Sequence, residues 1–426
     1  MARRTPLAVL AATLLTLGAG ALAVPAEARA AEDAAPFALR NGDRVVFYGD
    51  SITEEGGYGR LVEAYVVSRF PTWDVRFYNS GVGGDRVSGG WAGPIDERLE
   101  RDVIALRPSV VTVMLGMNDG GYKPYDPATF AAYAAGYRTI VAKLKEALPD
   151  ARLTLILPSP FDDVARPALF PGGYDDVLRR YGCYVEELAK REGARVVDFR
   201  EPVNAGVSSV LATHPELARQ ILPDRVHPSD AGHLVMGAAL LRSWNAPTLV
   251  TRVGIEAGEP RVVTSERTAV SGLEATDGGL AWTQLDESLP LPLGFEGATV
   301  ELAEAAGAGL EALGQQPLLV TGLPAGRYEL RIDDQEIGTF SEAELNAGVN
   351  LATRSTPMRW QAFSIRWAAA GRHELRRVLR QMVAGGSADA RWSSTAADLE
   401  AFDEVTQAGR GDAAQPVPRK YRLIPR

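Results

Sequence analysis

Val45-Val46-Phe47-Tyr48-Gly49-Asp50-Ser51-Ile52 runs four apolar residues straight into a turn of small and polar ones. An apolar run without polar alternation reads as a strand covered on both faces. Gly, Asp and Ser are the residues that turn a chain sharply. Residues 58–70 then carry a helical pattern, so the stretch reads as a strand, a turn and a helix. The unit repeats along the chain. Residues 75–78, 110–115, 153–157 and 194–199 read as further short apolar strands. Residues 95–106, 127–148 and 174–191 are the helices between them, and more helical pattern runs to Trp244. Strands alternating with helices predict a parallel sheet with helices on both faces, a three-layer α/β/α arrangement.

That topology has a chemical consequence. In open α/β sheets, ligands bind beyond the carboxyl ends of the strands. Ser51 follows the first strand, and Asn79-Ser80-Gly81-Val82-Gly83-Gly84-Asp85 follows the second. Leu115-Gly116-Met117-Asn118-Asp119 follows the third, and Asp224-Arg225-Val226-His227 lies beyond the fifth and its helix. Alone, each is ordinary loop chemistry. Together they place a hydroxyl, an imidazole, a carboxylate and amide donors on one edge of the sheet. A serine hydroxyl is a weak nucleophile at neutral pH, and it needs a base held in the correct tautomer by an anion. Ser51, His227 and Asp224 supply those three parts. Gly-x-Ser-x-Gly is absent because Thr53 follows Ile52, which counts against a lipase-type nucleophile elbow.

Four blocks in this order resemble the SGNH (GDSL-type) hydrolase family, on Ser51, Gly84, Asn118 and the pair Asp224 and His227, over roughly the first 245 residues. The resemblance implies a flavodoxin-like fold and a catalytic triad of Ser51, Asp224 and His227. It also implies an oxyanion hole formed by the backbone N–H of Ser51, Gly84 and the Asn118 side chain. It implies a carboxylic ester hydrolase working through an acyl-serine, with no cofactor. Tyr58, Trp91 and Tyr122 follow motif loops and are expected to line the substrate cleft. Residues 158–173 could border the site as a lid. The expected substrate is a small-molecule or glycan ester, with short acyl (acetyl) groups on carbohydrate favoured. A lysophospholipase or thioesterase acting on lipid acyl groups is the alternative, and a non-catalytic extracellular binding protein is a third reading.

After Pro247 the pattern changes. Residues 248–256, 261–265, 280–285, 298–302, 318–321, 327–332 and 336–340 read as short strands with Gly, Pro and Asp between them. Such spacing suggests a β-sandwich-like module. Residues 359–383 read as a helix ended by Gly385-Gly386-Ser387, with Phe363, Ile365, Trp367, Leu375 and Val378 as its expected buried stripe. Residues 395–406 read as a second helix, and the tail from Gly409 as irregular. The expected organisation is a signal peptide over 1–30, a catalytic domain over 31–247 and a β-rich accessory module with C-terminal helices over 248–426.

Composition narrows the classes. A chain of 426 residues with 46% hydrophobic content has room for sizeable cores, which excludes global disorder. The formal charge of -9 and the lack of a basic block argue against nucleic-acid binding. Arg3 and Arg4, the apolar stretch 6–24 and Ala28-Arg29-Ala30 form a signal-peptide pattern with cleavage after Ala30. A retained anchor is the competing reading of the same stretch, and the cleavage pattern favours removal. The mature protein is then expected to be secreted or periplasmic, with no stable membrane span. Cys183 is the only cysteine, so no internal disulfide can form, and a buried structural thiol is expected. The four histidines have no zinc-pair spacing, so no metal site is indicated. The oligomeric state is left open.

Overall fold

The computed structural model describes residues 36–293, 297–384 and 390–426. The expected signal peptide over 1–30 and the Gly385-Gly386-Ser387 stop lie outside the described residues. The first part builds from β1 (Arg44–Gly49), α1 (Ser51–Glu55), α2 (Gly57–Arg69), β2 (Arg76–Gly81), α3 (Ile95–Asp102) and β3 (Val110–Met114). It continues with α4 (Pro127–Ala147), β4 (Arg152–Ile156), α5 (Gly173–Glu192), β5 (Arg195–Val197), α6 (Arg200–Thr213) and α7 (Asp230–Ser243). The five strands form one sheet in the order β2-β1-β3-β4-β5, all parallel. Every residue of β3 and all but the first of β1 are buried. Helices cover both faces, as continuous apolar strands require. The three-layer arrangement expected from the sequence is therefore present. The order reverses at β1, which places Ser51 at the switch point where open sheets bind ligands.

Cys183 departs from expectation. On α5 the residues turned inward are Tyr181, Gly182 and Val185, which leaves Cys183 exposed.

The second part holds β6 (Arg252–Glu256), β7 (Arg261–Glu266), β8 (Thr268–Thr276), β9 (Gly279–Asp286) and α8 (Gly297–Ala305). Then come β10 (Pro317–Thr321), β11 (Arg327–Ile332), β12 (Gln335–Ser341), α9 (Glu342–Ala347) and β13 (Val349–Asn350). It closes with α10 (Pro357–Ala384), α11 (Ala390–Ala414) and β14 (Arg419–Pro425). One sheet runs β8-β9-β14-β11-β12 and the other β13-β10-β6-β7. Val253, Ile255, Leu318 and Val320 of the second meet Leu280, Trp282, Leu330, Ile332 and Leu423 of the first in one apolar core. The β-rich reading holds, with several corrections. Residues 298–302 are helical within α8, the tail ends in the central strand β14, and β8 was not foreseen.

The boundary expected at 247/248 does not separate two bodies, because residues 37–426 form one compact unit. Leu291, Ala303, Ala306, Leu310 and Leu313 belong to the core of the α/β layer. Helices α10 and α11 pack on α2. The face that α10 buries is not the one expected, since Trp367 is 71% exposed and Val378 39%. Of the expected stripe Ile365 is buried, and Met358, Ala362, Ala369 and Arg372 are buried with it. These five recur at spacings of three and four, one helical stripe.

Arg372 leads into a buried charge cluster. Glu63 of α2 pairs with Arg372 of α10 and Arg410 of α11. Asp403 accepts from Arg372 Nε at 3.0 Å and from Arg376 Nε at 2.8 Å. Arg376 also donates to the Phe77 carbonyl at 3.1 Å and stacks over the Tyr78 ring. Burial pushes the Glu63 carboxyl up, but the Arg372 and Arg410 guanidinium groups outweigh it and hold the group below its usual range. Among the described residues, no helix is long and apolar enough to cross a membrane.

Candidate active site

Ser51 is the first residue of α1, directly after β1. The Asp50 carboxylate caps that helix by accepting from the Ile52 N–H at 3.1 Å, which fixes the turn presenting Ser51. Ser51 Oγ donates to His227 Nε2 at 2.8 Å. His227 Nδ1 donates to Asp224 Oδ2 at 2.6 Å. An ionised carboxylate only accepts, so Nδ1 carries the proton and Nε2 is free to receive one. The other Asp224 oxygen accepts the backbone N–H groups of Val226 and His227 at 3.0 and 2.7 Å. Partial burial pushes the Asp224 carboxyl up, and these hydrogen bonds outweigh it, holding it below its usual range.

The 158–173 connection is a brace rather than a lid. Arg166 donates to the carbonyls of Leu222 and Pro223 at 2.9 and 2.7 Å. Arg225, at a positive φ of 79°, donates to the Pro167 carbonyl at 2.8 Å. Phe161 and Asp162 are buried beneath. The loop carrying Asp224 and His227 is thus tied down from both sides.

The glycine loop after β2 passes over Ser51. A side chain on Gly83 would reach within 4.0 Å of the Ser51 Cβ, and the Gly83 N–H donates to Glu54 Oε2 at 2.8 Å. Gly84 stands at φ 74°, where glycine alone is unstrained, with open space around it. The loop is anchored from below by Asp85, which accepts from Arg98 Nε and Nη2 at 3.0 and 2.8 Å. Asn118 is oriented by two bonds. Its Nδ2 donates to the Asp85 carbonyl at 3.0 Å, and its Oδ1 accepts from the Tyr122 hydroxyl at 3.1 Å. One Nδ2 proton remains for a ligand. Asp119 accepts from the Val87 N–H at 3.0 Å, and burial pushes its carboxyl up to about 6. A serine hydroxyl, an imidazole, a carboxylate and amide donors therefore share one edge of the sheet, the arrangement that acyl transfer needs.

Known proteins carry the same framework. The family model for the GDSL-like Lipase/Acylhydrolase family matches residues 47–235. An acetylxylan esterase of Geobacillus stearothermophilus is 30% identical over 230 residues, covering 48% of this chain and 94% of that protein. The chain belongs to the GDSL-like lipase/acylhydrolase (SGNH) family. It is an ester-hydrolysing enzyme. A solved structure of a gut microbial diltiazem-metabolizing enzyme is similar along almost the whole length. It is 27% identical with a TM-score of 0.81, covering 91% of this chain and 98% of that one.

Within this acylhydrolase the three aromatic residues expected at the cleft part ways. Tyr58 does not line it. The residue is 1% exposed, its hydroxyl bonds Thr53 Oγ1 at 2.9 Å, and its ring packs edge-on against Phe47 and Phe199. It lies on the inward face of α2, so proximity to the motif in sequence is not proximity to the cleft. Trp91 is 61% exposed and donates its indole N–H to the Gly83 carbonyl at 2.9 Å. Tyr122 is partly exposed and holds Asn118. Trp91 thus stands at the glycine loop and Tyr122 beside Asn118.

His373 was not singled out by the sequence. It comes from α10 and donates Nε2–H to the Glu54 carbonyl at 2.9 Å, closing the far end of the helix that starts with Ser51. Its ring fills the space over Gly56, where a Cβ would fall 2.1 Å from His373 Cε1. His233 is buried in α7 and donates to Glu55 Oε2 at 3.1 Å.

Proposed function

We propose that the enzyme hydrolyses short-chain acyl esters, acetyl groups on carbohydrate in particular, through an acyl-serine intermediate. Ser51 Oγ attacks the ester carbonyl carbon as His227 Nε2 takes its proton. Asp224 stays ionised, holds the imidazole tautomer and stabilises the imidazolium. The carbonyl oxygen becomes an oxyanion facing the N–H groups of Ser51 and Gly84 and the Asn118 amide. Its collapse breaks the bond to the alcohol, which departs with the proton from His227. Water then gives a proton to His227 and attacks the acyl-serine. The acid leaves and Ser51 recovers its proton. The observation carrying this reading is the unbroken chain of hydrogen bonds Ser51–His227–Asp224, at 2.8 and 2.6 Å.

The carbohydrate assignment is supported by the acetylxylan esterase relative, whose length the match nearly covers. Export is supported by the pattern Arg3, Arg4, the apolar stretch 6–24 and Ala28-Arg29-Ala30. N-terminal sequencing of the protein recovered outside the cytoplasm should begin at Ala31. A full-length N-terminus would remove that part of the reading.

Turnover should be measured on 4-nitrophenyl acetate and longer 4-nitrophenyl esters, acetylated xylan, diltiazem and lysophosphatidylcholine. Acetyl esters should be fastest and acetylated xylan should release acetate, while Ser51→Ala removes both activities. Preference for the lysophospholipid would replace the carbohydrate assignment with the lipid one. Full activity in Ser51→Ala would end the acyl-serine reading.

A further inference from the structure

The mechanism leaves one large feature unused. Beside the triad, α1, the start of α7 and α10 enclose an open cleft of about 560 Å³. Its wall is built on the two elements that carry Ser51 and His227. Pro228 follows His227 in the chain and forms part of its wall. Glu54 and Glu55, also in the wall, lie three and four residues after Ser51 on one helix. That spacing puts their Cβ atoms roughly 5–6 Å from that of Ser51, about the width of a sugar ring. Glu54 is also the residue that holds Gly83.

The alcohol half of the ester must leave with the proton carried by His227 Nε2. It therefore lies beside the His227 ring, and the next residue in the chain, Pro228, belongs to the cleft wall. The wall is almost wholly polar. Glu54, Glu55, Asp230 and Glu374 face Arg60 and Arg377, four carboxylates against two guanidinium groups. An excess of negative charge disfavours a phosphate-bearing alcohol. A wall whose main apolar contribution is Pro228 gives an acyl chain nothing to bury against. Alternating fixed acceptors and donors suit hydroxyl groups, each of which both gives and takes a hydrogen bond.

We infer that this cleft is the subsite for the leaving alcohol and takes a neutral, polyhydroxylated one, an oligosaccharide, with α10 supplying one wall. The inference rests on the proposed ester reading and adds the place and chemistry of the alcohol. It also gives the second part of the chain a role in specificity. Glu374 and Arg377 on α10 form a fork, with Arg377 Nε and Nη2 donating at 3.0 and 2.6 Å. The second-part wall is completed by His373, whose ring is already committed to Glu54.

The test uses the full chain with xylotetraose as the probe. Calorimetric titration of the wild-type protein should show binding at millimolar concentration. Glu374→Ala combined with Arg377→Ala should weaken it about tenfold, the loss expected for hydrogen bonds to charged groups. In the same variant, kcat/KM on acetylated xylotetraose relative to 4-nitrophenyl acetate should fall by a similar factor. The pair is an exposed i,i+3 contact that adds little stability, so folding is not at stake. Absence of xylotetraose binding by the wild type, or undiminished binding by the variant, would overturn the subsite. Binding that the variant loses, without turnover of acetylated xylotetraose by the wild type, would keep the subsite and sink the acyl-sugar reading alone.

Discussion

The α/β layer and the region after Pro247 are built on different physics. In the first, β1 and β3 are apolar on both faces, and polar chemistry is confined to loops at the carboxyl edge of the sheet. In the second, β8 has no fully buried residue, and α10 and α11 meet the first part at the ion cluster of Glu63, Arg372, Arg410, Asp403 and Arg376. The sheet sets where the reaction takes place. The second part touches the site only through its rim and its support, at His373 and the cleft wall.

Variants that break the first part should cost the most. Asp224→Asn should lower kcat on the order of 10⁴-fold, because the imidazole loses its fixed tautomer. Steady-state kinetics on 4-nitrophenyl acetate measures this. A loss below tenfold would mean that another group orients His227. Asn118→Ala should cost roughly 10² to 10³ in kcat with little change in KM. A change in KM alone would move Asn118 from the oxyanion to substrate binding.

The joint between the parts should fail through stability instead. Glu63→Gln leaves Arg410 buried without its anion and Arg372 with Asp403 alone, a loss on the order of 3–5 kcal/mol. Urea unfolding followed by two probes should show the lower midpoint. Unchanged stability would mean that water replaces the missing charge. His373→Ala should reduce kcat about tenfold at constant KM, equivalent to about 1.4 kcal/mol, by loosening the end of α1. His373→Gln, which keeps a donor for the Glu54 carbonyl, should recover most of it. Equal activity in wild type and His373→Ala would make the residue a packing group only.

The smallest effect concerns pH. Burial pushes the Asp50 carboxyl up to about 7. Its folded value is then above its unfolded one near 4, so the folded state holds more protons between those limits. Stability is therefore lost as pH rises from about 4 to 7 and stays level above. Asp50→Asn keeps an acceptor for the Ile52 N–H and removes the titration. Melting curves of the two proteins should coincide near pH 4 and separate up to pH 7, with the variant the more stable. Parallel curves would show that Asp50 ionises as an ordinary carboxyl.

The first part was the more legible because its signal is local. Runs such as Val45 to Tyr48 announce buried parallel strands, and the edge on which they end dictates where Ser51, Gly84, Asn118, Asp224 and His227 meet. The errors arose where burial depends on distant residues. Tyr58 sits near the motif but on the core side of its helix. Residues 298–302 contain Thr299 and Val300, which favour strands, yet Ala303 and Ala306 must pack on the α/β core and the segment is helical. In β14 only Tyr421 and Leu423 are buried among alternating Arg and Lys, too short an apolar pattern to stand out in a polar tail. The buried face of α10 holds two alanines and an arginine beside Met358 and Ile365, so its hydropathy pattern is weak. His373 reaches α1 across more than 300 positions, and no spacing in the sequence points to it.

The central claim is that Ser51, activated by His227, is the nucleophile. Treating the intact protein with a fluorophosphonate and mapping the adduct by mass spectrometry tests it most directly. The account predicts a single adduct on Ser51, with labelling slowed on the same scale as turnover in His227→Ala. An adduct on any other residue, or labelling of Ser51 at an unchanged rate without His227, would contradict it.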